Sequence, residues 1–192
     1  MAQFIAFNSE VEVNRQTVLS VVNSLDFGKE DRLLLLKNNG IDPEEKEWFS
    51  QQDWLNTFKD ISDKYGKKNL FMIGKAIIEN AEFPPMKNLE EALHSLDIAY
   101  HMNHRLAKKV MFDTETGEKQ EGIGYYSLNK FDKHKKIAEM VCFNPYPSEF
   151  DRGVITQLAR KFTNFIKVKV ELDEQKETRS EGASTCTYKI TW

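Results

Sequence analysis

The sequence predicts an α+β protein in which N-terminal helices are followed by an antiparallel sheet with one inserted amphipathic helix. Up to about residue 106, apolar residues recur at helical spacing between helix-capping residues. Beyond residue 108 they alternate as in strands, except in the segment 145–162, which returns to helical spacing. Helices followed by strands are typical of an antiparallel sheet that is covered on one side.

The chain begins with two predicted helices. Asn14 can cap the first one, whose apolar residues follow at helical spacing: Val18, Leu19, Val22 and Leu25. The second is predicted from Lys29 to Asn39, with Gly40 as its C-terminal stop. It contains Leu33 to Leu36, and four consecutive leucines cannot all face one side of a helix. This run therefore packs either within the protein or against a second subunit.

We divide the chain into a helical arm, residues 1–40, which is a candidate for dimerisation, and a ligand-binding-like α+β unit, residues 41–192. We expect the two to form a single folded unit. In the second unit Ser50 and Asp53 predict the start of a helix that Gly66 ends. A buried helix follows over 70–78. Gly74 within it predicts the close approach of another element, because glycine in a helix interior is otherwise unfavourable.

Asn88 and Glu91 form a capping box that opens a helix predicted to reach about Leu106. A helical wheel gathers its apolar residues on one face: Leu89, Ala92, Leu93, Leu96, Ala99 and Tyr100. Asn103 falls in the middle of that face. A buried amide needs hydrogen-bond partners, so Asn103 must bond to a neighbouring loop backbone or to a ligand.

Strand patterns dominate the remaining sequence. A hairpin is predicted between 110–112 and 123–128, and a further strand covers 137–143. The last hairpin, near 168–174 and 185–191, shows strict alternation. It predicts that Cys186, Tyr188 and Ile190 face the helices.

The inserted helix begins near Ser148, which forms a capping-box variant with Asp151. Its apolar residues follow at four-residue steps: Phe150, Val154, Leu158 and Phe162. Gly153 permits a close approach of backbone or ligand. We expect Arg152 to form a surface ion pair.

Composition limits the classes of function. The chain holds 27 Lys and Arg against 30 Asp and Glu, and this net charge of −3 argues against nucleic-acid binding. The basic cluster Lys130–Lys136 is more simply a solvated strand end than a phosphate-binding patch. No apolar run approaches the ~18 residues of a membrane helix, and the N-terminus lacks a secretory pattern. We therefore expect a cytoplasmic protein without membrane insertion, in which Cys142 and Cys186 are reduced and buried.

The sequence shows no signature of catalysis or metal binding. It has no GxSxG, GxxxxGK[ST], GxGxxG or HExxH motif, so it does not predict an enzyme. His94 and His101 lie two helical turns apart, ~10 Å along the axis, which is too far to share one ion. The helical wheel places both opposite the apolar face. We therefore expect solvated histidines, no metal site and no cofactor.

Near the C-terminus, Gly182, Cys186 and Tyr188 follow Thr178 at regular spacing. This pattern resembles the C-terminal part of the 4-vinyl reductase domain family, in which a Cys occupies the position of Thr178. The stretch CFNPYPSEFDRGVITQLA, residues 142–159, also resembles that family's entry to its penultimate helix. The family belongs to a fold group that includes haem–nitric-oxide-binding sensor domains and TRAPP vesicle-tethering subunits.

The haem-binding relatives use a helix histidine and a Tyr-x-Ser-x-Arg run that holds the propionates. The parallels in this sequence are His101 and residues 125–129, where Asn129 replaces the arginine. The resemblance therefore implies a module without haem, and Thr178 removes one thiol of a paired-cysteine site.

The resemblance implies a small-molecule-binding sensory or regulatory module that holds a hydrophobic ligand between the helices and the sheet. The candidate ligand-binding residues are Tyr100, Asn103 and Tyr188. The alternative is a structural or protein-interaction module without a ligand, a homodimer formed through its first helices, as the tethering relatives suggest.

Overall fold

The computed structural model describes residues 3–24, 28–163 and 167–192. Within them lie six α-helices and two four-stranded antiparallel sheets, which confirms the predicted α+β class. The helices are α1 (Arg15–Asn23), α2 (Lys29–Asn38), α3 (Gln51–Tyr65), α4 (Lys67–Asn80), α5 (Leu89–Met102) and α6 (Ser148–Lys161). The strands are β1 (Val11–Asn14), β2 (Trp48–Ser50), β3 (His104–Leu106), β4 (Lys109–Val110), β5 (Tyr125–Asp132), β6 (Ile137–Phe143), β7 (Lys169–Leu172) and β8 (Cys186–Thr191). None of the helices in these ranges is long and apolar enough to cross a membrane.

The first two helices lie where the sequence predicts them. The Asn14 side chain accepts a hydrogen bond from the Thr17 amide at 2.9 Å and so caps α1. The predicted apolar position Leu25 lies outside the described residues. In α2 the leucine run is divided, with Leu36 fully buried and Leu34 57% exposed. The first 40 residues thus contribute to the core, and the division of the chain at residue 40 stays a prediction.

The first sheet, in the order β2-β1-β3-β4, has no counterpart in the sequence prediction. Helix α5 was predicted to reach Leu106, which is wrong: it ends at Met102, and the next residues form β3, which pairs with β1. The turn from β3 to β4 places two consecutive residues, Ala107 and Lys108, at φ values of 49° and 68°. Tight hairpins favour this left-handed pair of conformations but usually recruit Gly or Asn for it, so the turn left no sequence signal.

The predicted pairing of 110–112 with 123–128 is also wrong. Val110 pairs with Arg105 of β3, and β5 pairs with β6 instead. The turn residues between them close a local loop, in which the Gly117 amide donates to the Asp113 carbonyl at 2.8 Å.

The second sheet has the order β5-β6-β8-β7, and the predicted final hairpin is confirmed. Val170 of β7 lies opposite Ile190 of β8. Cys186, Tyr188 and Ile190 are fully buried on the face that α5 and α6 cover. In β5 the register shifts between Leu128 and Lys130. This bulge leaves the intervening Asn129 exposed.

The helical layer is centred on the crossing of α4 and α6. A Cβ atom added to Gly74 would lie 2.1 Å from the Phe150 carbonyl oxygen. One added to Gly153 would lie 2.1 Å from the Phe71 carbonyl oxygen. The close approach predicted at both glycines is therefore confirmed, and it is reciprocal: each glycine of one helix receives the backbone of the other.

Candidate functional site

A small cavity lies between α4, α5, α6 and the second sheet, with a volume of about 40 Å³. Its wall consists almost entirely of apolar atoms. The side chains that line it include Ile77, Leu96, Ala99, Tyr126, Phe150 and Val154. Tyr100 and Asn103, two of the three predicted ligand-binding residues, also line it.

Tyr100 closes one side of the cavity. Its hydroxyl donates to the Ile123 carbonyl at 2.6 Å. Its ring meets the rings of Tyr126 and Tyr146 edge-on, with centroids 5.5 Å and 6.2 Å away. Burial raises the pKa of Tyr100 well above its ordinary value, so the phenol is neutral.

Asn103 caps the end of α5 and uses its whole hydrogen-bonding capacity within the protein. Its Nδ2 donates to the carbonyl oxygens of Glu82 at 2.9 Å and Ala99 at 2.7 Å. Its Oδ1 accepts from the Glu82 amide, from Asn14 Nδ2 and from Thr17 Oγ1. Of the two partners considered from the sequence, the structure thus supplies the neighbouring backbone. A ligand-binding role for Asn103 stays a prediction.

Tyr188 does not line this cavity. It lies beneath the start of α6, where its hydroxyl donates to the Ser148 carbonyl at 2.8 Å. The structure therefore brings two of the predicted site residues together and places the third elsewhere in the core. Sequence alternation identified the face of β8 on which Tyr188 lies, but not the part of the helical layer above it.

His104, the third histidine of the segment 94–104, also lines the cavity, although the sequence predicted solvated histidines there. Its Nδ1 donates to the Tyr100 carbonyl at 2.6 Å, and its Nε2 accepts from the Tyr146 hydroxyl at 2.7 Å. Burial lowers the pKa of His104 to about 3, so the imidazole is neutral. The available signal was its four-residue spacing from Tyr100, which continues the apolar face of the helix that was predicted to reach Leu106.

The predicted exposure of His101 is wrong, whereas His94 is exposed as expected. His101 is fully buried because the segment between β4 and β5 covers the second face of α5. That segment is fixed by Asp97, whose carboxylate accepts from Lys119 Nζ at 2.8 Å and from the Tyr126 amide at 3.0 Å. His101 Nδ1 donates to the Asp97 carbonyl at 2.7 Å, and its Nε2 has no hydrogen-bond partner among the described residues. Burial lowers the pKa of His101, which is therefore neutral.

A buried ion pair lies next to the cavity. Arg179 donates to the Asp151 carboxylate and to Asn144, and both charged side chains are almost completely inaccessible. Tyr126, a cavity residue, donates to Asp151 Oδ1 at 2.6 Å. Burial raises the pKa of Asp151, and the Arg179 guanidinium offsets part of that shift.

The capping box predicted for α6 is wrong. Ser148 and Asp151 do not cap the helix, whose start has no side-chain cap. Asp151 instead points into the core, where it meets Arg179. The expected surface pair of Arg152 is present, with its Nη2 2.6 Å from Glu149 Oε2.

The residues that carried the family resemblance lie together at the end of the second sheet. Thr178 begins a single 3₁₀ turn, and its hydroxyl donates to the Glu181 carboxylate at 2.7 Å. Gly182 ends that turn at a φ of 94°. Cys186 Sγ accepts from the Arg179 amide at 3.4 Å. Thr178 thus has a local capping role at the position where the resemblance places a Cys.

No protein-family model and no curated protein matches the sequence. Solved structures do match its fold. A doubly substituted H-NOX domain designated Tt superposes with a TM-score of 0.61 at 15% identity, covering 93% of this chain and 94% of that one. An oxygen-binding H-NOX domain related to soluble guanylate cyclases gives 0.59 at 17% identity, with coverages of 92% and 90%. An H-NOX protein from S. oneidensis in the Fe(II)NO state gives 0.56 at 8% identity, with coverages of 91% and 97%.

At these identities the likeness establishes the fold alone. The chain has an H-NOX-like fold over nearly its whole length, which confirms the fold group expected from the sequence. The narrower resemblance to 4-vinyl reductase domains has no counterpart in the comparisons.

The fold group raises the question of haem, and the side chains of this chain do not fit one. An apolar cavity known to hold a benzene ring measures roughly 150 Å³, whereas this one measures about 40 Å³. The space between the helices and the sheet is filled by packed rings, among them Tyr100, Tyr126 and Tyr146. His101 does not line the cavity, and Asn129 lies exposed on a bulge.

Proposed function

We propose that this chain is a sensory or regulatory module that binds a small hydrophobic molecule, without haem, in the cavity beside Tyr100 and Asn103. The observation that carries the proposal is the cavity itself, about 40 Å³ in volume with an apolar wall. Apolar cavities stay dry and accept apolar guests of matching size. Such a module would act in the cytoplasm, and its relationship to 4-vinyl reductase domains is part of the same proposal.

The names of the structural neighbours support a small guest. They describe an oxygen-binding domain and a protein in the Fe(II)NO ligation state. Diatomic molecules match the size of this cavity, although a porphyrin does not. We therefore propose direct binding of a molecule of that size between α5 and α6.

The polar groups around the cavity support selection by size rather than by hydrogen bonding. The Tyr100 hydroxyl, the Asn103 amide and both ring nitrogens of His104 are occupied by protein partners. A polar guest would find no free partner among them and would lose its own hydration. An apolar guest has no such cost.

A route for signalling starts at Tyr126. Its ring lines the cavity, and its hydroxyl bonds to Asp151, which pairs with Arg179 near the end of the sheet. A guest that displaces the Tyr126 ring would therefore act on a buried charge pair outside the cavity. This connection favours a sensory role over simple storage.

Xenon is a suitable probe, because it is a single apolar atom and binds in dry apolar cavities. We expect xenon to shift the NMR methyl resonances of Ile77, Leu96 and Val154, which line the cavity, saturably in the wild-type protein. Ala99→Val adds two methyl groups to the wall and should abolish the shifts while leaving the protein folded.

Ala92→Val is the matched control. Ala92 is fully buried on the same helix but does not line the cavity. This substitution should lower stability by about 1–3 kcal/mol through overpacking and should leave xenon binding intact. Absence of xenon shifts in the wild-type protein, or equal binding by Ala99→Val, would contradict the proposal.

The alternative function, a dimeric interaction module without a ligand, is supported by a different surface. Leu34 on α2 is 57% exposed, and Tyr65 on α3 is 38% exposed. The Tyr65 hydroxyl donates to Asp31 of α2 at 3.3 Å, so the two helices present one surface. Sedimentation at increasing concentration tests it: a dimer that Leu34→Lys dissociates would favour this function, and a monomer at all concentrations would exclude it.

A further inference from the structure

A second, larger concavity lies at the opposite ends of α5 and α6 from the cavity. This groove has a volume of about 680 Å³ and shares no lining residue with the cavity. It is bounded by the start of α5, the end of α6, the β5–β6 turn and the end of β8. We propose that it binds a small anionic molecule that carries an aromatic ring.

The floor of the groove is aromatic. Phe131 of β5 and Trp192, which follows β8, stack with their ring centroids 5.3 Å apart and their planes at 25°. Both rings are partly exposed, and Phe162 lies beside them in the groove. The bulge at residue 129 returns Phe131 to the inner face of the sheet, where it pairs with Ala138. Partly exposed, stacked rings offer a planar surface on which another ring can stack.

The rim of the groove is basic. Lys87, Lys133, Lys136 and Lys167 line it, and Glu90 is the acidic residue among the described lining side chains. This excess of positive charge occurs in a chain whose net charge is −3. This local excess of positive charge favours an anion.

The size of the groove decides between possible occupants. Small-molecule sites measure about 300–1,000 Å³ and combine apolar walls with a few charged groups, as this groove does. A ring on Phe131 and Trp192 would leave its acidic group within reach of Lys133 and Lys136 in the adjoining turn. An acidic peptide would match the basic rim, but it would not require the stacked aromatic rings of the floor.

Anilinonaphthalene sulfonate, which carries one sulfonate on a fused ring system, is a direct probe. We expect saturable binding, detected as an increase of dye fluorescence, that weakens as salt is raised. The charge reversal Lys133→Glu/Lys136→Glu should weaken binding by about tenfold or more. Trp192→Ala should weaken it by a comparable factor, because it removes half of the stacked floor.

Lys67→Glu/Lys68→Glu is the matched control, since it makes the same change in net charge at two exposed residues at the start of α4. It should change affinity less than about twofold. Circular dichroism and thermal unfolding confirm that each variant is folded, because the dye also binds exposed apolar surface in unfolded chains. The cavity beside Tyr100 is too small for the dye, so failure of this proposal leaves the proposed function untouched.

Two results would overturn the proposal. One is equal affinity for the dye in the Lys133/Lys136 variant and in the wild-type protein. The other is binding of an acidic peptide together with no saturable binding of the dye, which would assign the groove to a protein partner.

Discussion

At the scale of single residues, burial determines which side chains carry charge. His104 sits in the cavity wall with both ring nitrogens hydrogen-bonded and with a pKa of about 3. It is therefore neutral in the folded protein at any pH near neutrality. The unfolded chain binds a proton at this residue near the ordinary pKa of 6.5.

We predict that the protein loses stability on mild acidification. Below pH ~6.5 the unfolded state binds more protons than the folded state, so stability falls as the pH drops toward 3. The contribution of His104 is about 2 kcal/mol between about pH 7 and pH 5. His101, whose pKa burial also lowers, adds to the loss in the same direction.

Urea unfolding at a series of pH values measures this effect. In His104→Gln the dependence of stability on pH should decrease by the equivalent of about one proton. This slope is informative even if the variant is less stable overall. An unchanged slope would show that His104 does not titrate differently in the folded and unfolded states.

Asp151 is the other residue whose surroundings set its role. Asp151→Asn leaves the Arg179 guanidinium buried without its counter-charge, so we predict a loss of about 3–5 kcal/mol in unfolding free energy. Glu149→Gln, on the same helix, breaks only the partly exposed pair with Arg152 and should cost less than about 1 kcal/mol. Equal effects of the two substitutions in denaturant unfolding would argue against a structural role for the buried pair.

At the scale of elements, the two glycines of the α4–α6 crossing hold the helical layer together. Each lies against a backbone carbonyl of the other helix, so no side chain separates the two helices at this point. Both positions are helical and have no positive φ, so alanine is disfavoured there by contact alone. Alanine elsewhere in a helix stabilises by about 1 kcal/mol relative to glycine.

Gly153→Ala should therefore lower stability, although alanine has the higher helix propensity. We predict a loss of about 1–3 kcal/mol, because the new methyl group forces α4 and α6 apart. Gln157→Ala, at a partly exposed position of α6, serves as the control and should be close to neutral. A thermal melt in which Gly153→Ala is more stable than the wild-type protein would show that the helices are not in contact there.

The elements that could be predicted from the sequence are those with local signals. Capping residues such as Asn14 and Asn88 fixed helix starts, and alternation around Tyr188 fixed the last hairpin. The first sheet could not be predicted, because its strands are short and pair over long distances in sequence. Asp151 was assigned to a capping box because of its spacing from Ser148. It also lies three residues before Val154 and seven before Leu158, and this helical spacing places it on the buried face.

At the scale of the whole molecule, packed aromatic rings occupy the space between helices and sheet that a cofactor would need. Incubation with haemin followed by desalting should therefore leave no stoichiometric Soret absorbance. The reason is the small volume of the cavity and not the state of His101. The His101 imidazole is neutral, and its Nε2 has no hydrogen-bond partner among the described residues. A stoichiometric Soret band that disappears in His101→Ala would show that the packed rings move aside to admit the porphyrin.

The candidate site could be predicted only in part, because it depends on contacts between segments that are distant in the sequence. A helical wheel placed Tyr100 and Asn103 on one face of α5, and both line the cavity. It could not show that the other face of α5 is covered as well, so His101 was assigned to solvent. Whether a side chain is buried on the second face of a helix depends on a distant segment, here that of Lys119.

The first sheet has a consequence for the order of events during synthesis of the chain. β1 is synthesised well before its partner β3, because Glu12 meets Arg105 across a separation of 93 residues. While the intervening helices emerge from the ribosome, Val11 and Val13 remain on an unpaired strand edge that can join other chains. Closure of that edge is a late, non-local step. A nascent chain of this protein is therefore most prone to aggregate in the interval between the synthesis of β1 and that of β3.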